Sequence, residues 1–380
     1  MNRYVKPETS PLFTPWQEPQ SGVVSYVLTA RCAPWQQLFY FCTPVNSDDG
    51  RYMWLGCAYP PRIGYVMGRV DFLTGEAQAF PETNYSAYPY VDPHTGEAWY
   101  AQKRSLYRRG PGASDPVIEV GRIGTEWFGG RPIHKLSNHV HMSGDRKWIN
   151  LNMDTGDSWH VGAMETATGR FELWDSFDVN VNHSQYNPTD PDLIMFAEDH
   201  WVDRKSGVYT HYKNRIWTVR RGEKAKPLVP DNPRGDRLTH EWWSRDGRKI
   251  WFVDYDLGTF RYDLATGAAE CLWPGGTCHS ESDATDMLLA GDIGTYEWQT
   301  KAVRVAFYNR YTGREVDILS DWTSPNKLAY LKPFELVFPY HFHAHPQFIL
   351  NDELIAYNTT VFGRPDVALV RVADLVKLTS

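Results

Sequence analysis

Cysteine is scarce in this chain. Five occur in 380 residues, Cys32, Cys42, Cys57, Cys271 and Cys278, an odd number with no C-x-x-C pair. That spacing argues against a disulfide framework. Long apolar runs are missing: no stretch of about 18 apolar residues occurs, and residues 1–13 carry no apolar segment of the signal-peptide kind. Blocks of Lys and Arg are also missing. The balance is acidic, 39 basic against 46 acidic residues for a net charge of −7. Nucleic acid and membrane surfaces are therefore not expected partners. A small anionic substrate stays open, because a local charge or a metal overrides net charge. The expectation is a reduced, soluble, cytoplasmic protein of unspecified oligomeric state. Helical periodicity is nearly absent as well, which moves attention to strands.

What is present fits strands. A hydrophobic share of 42% is ample for a core and excludes general disorder. Aromatics reach 14%, and 29 Gly and 25 Pro are spread along the whole chain, the mixture that short strands joined by many turns produce. The length allows two or three domains, or one large closed β fold. A recurring unit decides between them. Its clearest copy is Ser244-Arg245-Asp246-Gly247, the run Lys249–Asp254, a gap, then Thr259–Leu264 ending in Ala265-Thr266-Gly267. This reads as turn, strand, strand, turn. Weaker copies begin at Asp48, Asp92, Ser143, Asn187, Ser282 and Leu350. Copies at roughly 40–60 residue intervals have the repeat length of propeller blades. The predicted fold is all-β, a seven-bladed β-propeller forming a single domain over 1–380, with ordered blades over about 22–378. The segment Val23–Leu28 is expected to close the last blade. A two-sheet sandwich is the alternative, but it gives no reason to repeat one turn grammar seven times.

Against this repeat the histidines fall in register. His139 lies four before Ser143, His183 four before Asn187, His240 four before Ser244 and His345 four before Ile349. His279 lies three before Ser282, an offset that a bulge absorbs. These positions are near one end of the innermost strands, which face the central channel of a propeller. His141 and His343 stand two residues from His139 and His345, and residues two apart in a strand share a face. A convergent histidine cluster on the axis is the expectation, suited to binding Mn, Fe, Ni or Zn through neutral imidazoles and to supplying a free base.

The same residues resemble a known family. Thr239-His240-Glu241-Trp242-Trp243-Ser244-Arg245-Asp246-Gly247 resembles the signature of oligogalacturonate lyases, as do Cys278-His279-Ser280, His343-Ala344-His345-Pro346-Gln347-Phe348 and Asn182-His183-Ser184-Gln185-Tyr186-Asn187-Pro188. The likeness covers about the C-terminal half of the chain. It implies a seven-bladed propeller that binds Mn²⁺ and cleaves uronate oligosaccharides by β-elimination in the cytoplasm. Carried over by position, His279, His343 and His345 match the metal histidines and His240 the base. A glutamine that completes the family's metal site falls on Tyr340, and an arginine beside the substrate falls on Asn187. His341, Gln347 or water are the alternatives for the fourth ligand. His183 and Tyr340 join His240 as catalytic candidates. His139, His141, Asn187, Arg215 and Trp242 are the substrate-binding candidates. The two departures leave open another uronate linkage, of the rhamnose–glucuronate or ulvan type. A non-catalytic binding propeller would have no reason for axial histidines in register, and a propeller hydrolase would favour carboxylate and Asn ligands.

Overall fold

The computed structural model describes residues 4–62, 64–228, 237–294, 303–322 and 342–380, with backbone only at 321 and 322. Seven antiparallel sheets follow one another along the chain, forming the predicted seven-bladed propeller. Blade 1 comprises Trp35–Gln37, Tyr52–Ala58, Tyr65–Asp71 and Glu76–Tyr85; blade 2 Tyr90–Val91, Ala98–Gln102, Ser105–Arg109 and Val117–Arg122. Blade 3 pairs two short inner segments, Lys135–Leu136 and His141–Met142, with Trp148–Asp154, followed by Trp159–Glu165 and Phe171–Phe177. Blade 4 is Val181–Tyr186, Leu193–Glu198, Ile216–Arg220 and Lys226–Pro227, with a small hairpin, Trp201–Val202 and Tyr209–Thr210, inserted between its second and third strands. Blade 5 is Leu238–Trp243, Lys249–Asp254, Gly258–Asp263 and Ala269–Pro274; blade 6 Thr277–Ser282, Leu288–Ile293, Val303–Asn309 and Arg314–Trp322. Blade 7 takes Gln347–Ile349, Leu354–Thr359 and Asp366–Arg371 from the end of the chain and Val24–Leu28 and Phe13–Gln17 from its beginning. Among the described residues helix is confined to a 3₁₀ turn at Thr125–Phe128 and a short α-helix at Val372–Leu378. No helix among them is long and apolar enough to cross a membrane.

The repeated turn has a side-chain cause. Ser47, Ser143 and Ser244 each donate their hydroxyl to an Asp two residues on, at 2.7, 2.7 and 2.6 Å. The same oxygens accept the first backbone N–H of the next strand, from Tyr52, Trp148 and Lys249, each at 3.0 Å. The turn ends in the left-handed region, where Gly50 and Gly247 sit at φ 71° and 68° and Arg146 occupies the same place at 62°. Glycine holds that conformation without the Cβ clash that Arg146 bears.

Hydrophobic side chains fill the wedges between blades. Trp54, Met53 and Leu55 of blade 1 share one cluster with Leu28, Leu354, Ala356 and Leu369 of blade 7. Val27, Ile355 and Tyr357 of blade 7 share the next with Val305 and Phe307 of blade 6. The strand Val24–Leu28 thus contributes to both neighbours of the closing blade. It pairs Ser25, Tyr26 and Val27 with Val370, Leu369 and Ala368, and Tyr357 donates its hydroxyl to Ser25 at 2.9 Å. The closing blade thereby joins the two ends of the chain in one sheet, with Phe13–Gln17 as its outer edge strand.

Leu28 is fully buried in this seam. Leu28→Ala should lower stability by about 2–5 kcal/mol in denaturant titration, the usual cost of a core leucine truncation. Leu73→Ala, at a residue 53% exposed, should stay within about 0.5 kcal/mol of the parent.

Candidate active site

Bulges in the inner strands aim the histidines. In blades 4, 5 and 6 the pairing of the innermost strand with its neighbour jumps, between Asn182 and Gln185, Thr239 and Trp242, and Thr277 and Ser280. The residues inside the jumps are His183 with Ser184, His240 with Glu241, and Cys278 with His279. His183 and His240 have left-handed backbone, φ 53° and 51°, and His345 enters blade 7 at φ 45°. That conformation costs a residue with a Cβ roughly 1–2 kcal/mol, and such strain gathers at functional sites. The bulge re-aims a side chain that strict alternation would place elsewhere.

The imidazoles converge on a tyrosine. Ring centroids of His139, His183, His240, His279 and His345 lie 5.3, 5.4, 6.5, 6.1 and 5.3 Å from that of Tyr40, which follows the inner strand of blade 1. Tyr40 is buried, and its hydroxyl has no hydrogen-bond partner among the described residues. Burial, then the neighbouring Cys42 and Glu241, push its phenol well above the ordinary range, so it keeps its proton. Phe41 adds an apolar wall, 5.5 Å from His279 and 6.1 Å from His240.

Within the ring, His279, His343 and His345 form a tighter group. One nitrogen from each lies within 4.8 Å of the others, and all three side chains are buried. His240, Cys278 and His279 satisfy the same distance test. Asp292, fully buried on the second strand of blade 6, faces His279 Nδ1 at 2.9 Å and accepts the His279 backbone N–H at 2.7 Å. Its Oδ2 also accepts the backbone N–H of His345 at 3.3 Å. A carboxylate on one ring nitrogen directs the other toward a ligand and raises its basicity.

His240 is arranged as a base. Its Nδ1 lies 2.6 Å from the backbone carbonyl of Cys278. A carbonyl only accepts, so Nδ1 carries the proton and Nε2 holds the lone pair. Burial, then His279 and Arg215, hold its pKa well below the ordinary histidine value, which keeps the ring neutral. Its centroid is 4.0 Å from that of His279. Beneath it, Arg215 donates Nε to Glu241 at 2.6 Å and pairs through Nη1 with Asp199 at 3.0 Å. Burial alone would lower the guanidinium pKa, but Glu241 and Asp199 hold it well above its ordinary value.

No protein-family model matches the chain. Over 212 residues it is 24% identical to an oligogalacturonate lyase of Dickeya dadantii, covering 52% of this chain and 51% of that protein. To an oligogalacturonide lyase of Pectobacterium atrosepticum it is 25% identical over the same shares. Both of these sequence relatives are named as lyases of oligogalacturonate. The chain spans about half the length of these curated relatives, 51% of each. Among solved structures, an oligogalacturonate lyase in complex with manganese superposes with TM-score 0.75 at 18% identity, covering 94% of this chain and 96% of that one. The oligogalacturonate lyase from Vibrio parahaemolyticus gives 0.72 at 14%, covering 95% and 96%. These two carry the same propeller fold over nearly the whole chain.

The residues singled out in the sequence distribute unevenly. His139, His183, His240, His279, His343 and His345 come together at the axis. His141 packs its ring on Tyr90 at 5.2 Å, and burial draws its pKa down to about 4. Tyr340 and His341 lie outside the described residues. Two of the substrate-binding candidates need correction. Asn187 spends its side chain on a turn, donating to the Gly247 carbonyl at 2.7 Å and accepting from Thr189 and Asp190. Trp242 is 4% exposed and stacked on Trp251 at 5.6 Å, so it packs between blades and offers no face to a sugar. Arg215 is close to the histidines but tied to carboxylates. Sequence reasoning missed Tyr40 and Asp292. The register that finds the histidines, counted in blade 1 from Asp48, points to Pro44, and nothing local marks Asp292.

Removing one partner of a buried pair typically costs about 3–5 kcal/mol. Glu241→Ala should approach the lower figure, because Asp199 still faces Arg215; thermal denaturation and histidine NMR would show a less stable protein with a disturbed His240 environment.

Proposed function

We propose that the protein is a metal-dependent lyase that cleaves uronate-containing oligosaccharides, of the oligogalacturonate type, by β-elimination with His240 as the base. One observation carries this: a neutral imidazole with its Nε2 lone pair free for chemistry stands 4.0 Å, ring to ring, from His279 of a buried three-histidine group. The sequence relatives support the substrate class.

The proton at C5 of a uronate is α to a carboxylate and only weakly acidic. His279, His343 and His345 fit a divalent cation: three neutral nitrogen donors, one backed by Asp292, leave the ion its full charge for an anionic ligand. Manganese is the choice because a fold relative is described in complex with it. When bound, the cation supplies Lewis-acid stabilisation of the charge that builds on the uronate carboxylate. His240 Nε2 takes the C5 proton, and the Cys278 carbonyl steadies the resulting imidazolium through Nδ1–H. The bond from C4 to its oxygen then breaks with its electron pair on that oxygen, which takes a proton from water and leaves as the hydroxyl of the shorter oligosaccharide, giving a 4,5-unsaturated uronate. Tyr40 holds a proton by burial and closes the floor of the site. His183, beside Tyr40 and near Arg215, is a second residue positioned to contact substrate. In this reading one propeller domain spans 1–380 and works in the cytoplasm, where its five free thiols are stable; its partner is the oligosaccharide, without nucleic acid or membrane.

The decisive assay is ultraviolet absorbance of the conjugated product from oligogalacturonate, with and without added Mn²⁺. His240→Ala should lower kcat by about 10²–10⁴-fold, the worth of a positioned base, with metal content retained. Near-full activity would refute the base assignment, and joint loss of metal and activity would make His240 a ligand. His343→Ala should lose bound metal in elemental analysis; unchanged occupancy would remove the triad. Asp292→Asn should weaken metal binding about 10–100-fold, as the loss of an orienting carboxylate does.

A further inference from the structure

A cavity of about 370 Å³ opens between blades 3 and 4, apart from the three-histidine group. Lys135, Asn152, Asn182, Trp201 and Arg204 are among its walls. Two buried amide atoms of its walls have no hydrogen-bond partner, and an exposed lysine, Lys135, stands at its rim without an ion pair among the described residues. Asn152, 4% exposed, accepts from the Ser184 hydroxyl at 2.6 Å and its backbone N–H at 3.3 Å, so its amide orientation is fixed and Nδ2 is left without a partner. Asn182 donates Nδ2 to Asp199 at 2.9 Å, which likewise fixes the amide and leaves Oδ1 unpaired. Leaving a buried polar atom unmade costs about 1–3 kcal/mol, so the two amide atoms, Asn152 Nδ2 and Asn182 Oδ1, mark a place built for a ligand. Arg204 is already neutralised by Asp154 at 2.8 Å. Half-buried Trp201, set edge-on to Trp159 at 5.0 Å, supplies an apolar face.

We propose that this cavity is a subsite for a uronate residue of the substrate chain away from the bond being cleaved. A uronate ring has one carboxylate for Lys135, hydroxyls that both donate and accept for Asn182 and Asn152, and an apolar face for Trp201. The wall leads toward the axis: Asn182 precedes His183 in sequence, and its partner Asp199 is paired with Arg215 beside His240. The inference rests on the uronate reading above, but it is tested by binding as well as by turnover.

The test uses Lys135→Met in the full chain, with Lys226→Met, a remote exposed lysine, as the control for lost charge. Digalacturonate and trigalacturonate are the probes. Loss of a charge-assisted contact should raise KM for the trimer about tenfold or more. The KM for the dimer, kcat for both and the Lys226→Met values should not move. Calorimetric titration of trigalacturonate into His240→Ala protein, with and without Lys135→Met, should show the same weakening without turnover. If no lyase activity exists but Lys135→Met weakens trimer binding, the subsite stands and the lyase reading falls. If the enzyme is active and Lys135→Met leaves the trimer unaffected, or shifts dimer and trimer equally, the subsite is refuted.

Discussion

The chemistry at the axis rests on a backbone irregularity repeated from blade to blade. An ordinary inner strand would alternate its side chains between the two neighbouring wedges and leave the channel lined by backbone. The two-residue bulges in blades 4, 5 and 6, with left-handed backbone at His183 and His240, interrupt that alternation. In blade 5 the second residue of the bulge, Glu241, leaves the ladder and pairs with Arg215. The second and third strands of every blade pair without a register break, which gives the irregular inner strand a regular neighbour to pack on. The scaffold is rigid so that its innermost turn of residues can be irregular.

Burial then sets the protonation state. Histidine near its ordinary pKa would be partly charged at neutral pH, and five such rings within a few ångströms would repel one another. Here burial, mutual repulsion and the Arg215 charge all push His240 the same way, toward the neutral form. Arg215 is in turn held charged by Glu241 and Asp199, and these two carboxylates balance its charge. In a chain of net charge −7, the positive charge that the proposed reaction needs for an anionic sugar would therefore come from a cation on the histidine group.

The fold was legible because its turns are chemically repetitive. Ser-x-Asp followed by a left-handed residue forms the same hydrogen bonds at Ser47, Ser143 and Ser244, and a local device of this kind shows in a single sequence. The histidine cluster was legible for the same reason, since the turn supplies the ruler from which the register is counted. Tyr40 escaped because the short inner strand of blade 1 ends at Gln37, nine residues before the isolated bridge of Asn46 with Met53, and the irregular chain between them brings Tyr40 against the histidines. Asp292 escaped because its partners, His279 and His345, lie 13 and 53 residues away and only the tertiary fold brings them near.

Asn187 and Trp242 show where a linear likeness fails. Both stand within or beside the stretches that resemble the lyase signatures, Trp242 on the inner strand of blade 5 and Asn187 just past that of blade 4, yet both side chains are spent on packing or on a turn. Trp242 comes two residues after His240, where strand spacing alone would give it the same face as the histidine. The bulge falls between them, so the face is exchanged and the indole enters the wedge against Trp251. Asn187 lies at the far end of its strand from His183, where the turn needs a side-chain acceptor for the Thr189 and Asp190 amides. In the proposed reading, recognition of the sugar would therefore come from residues at the histidine end of the blades. That is the end where the Asn182–Asp199–Arg215 chain of contacts runs between the axis and the cavity of blades 3 and 4.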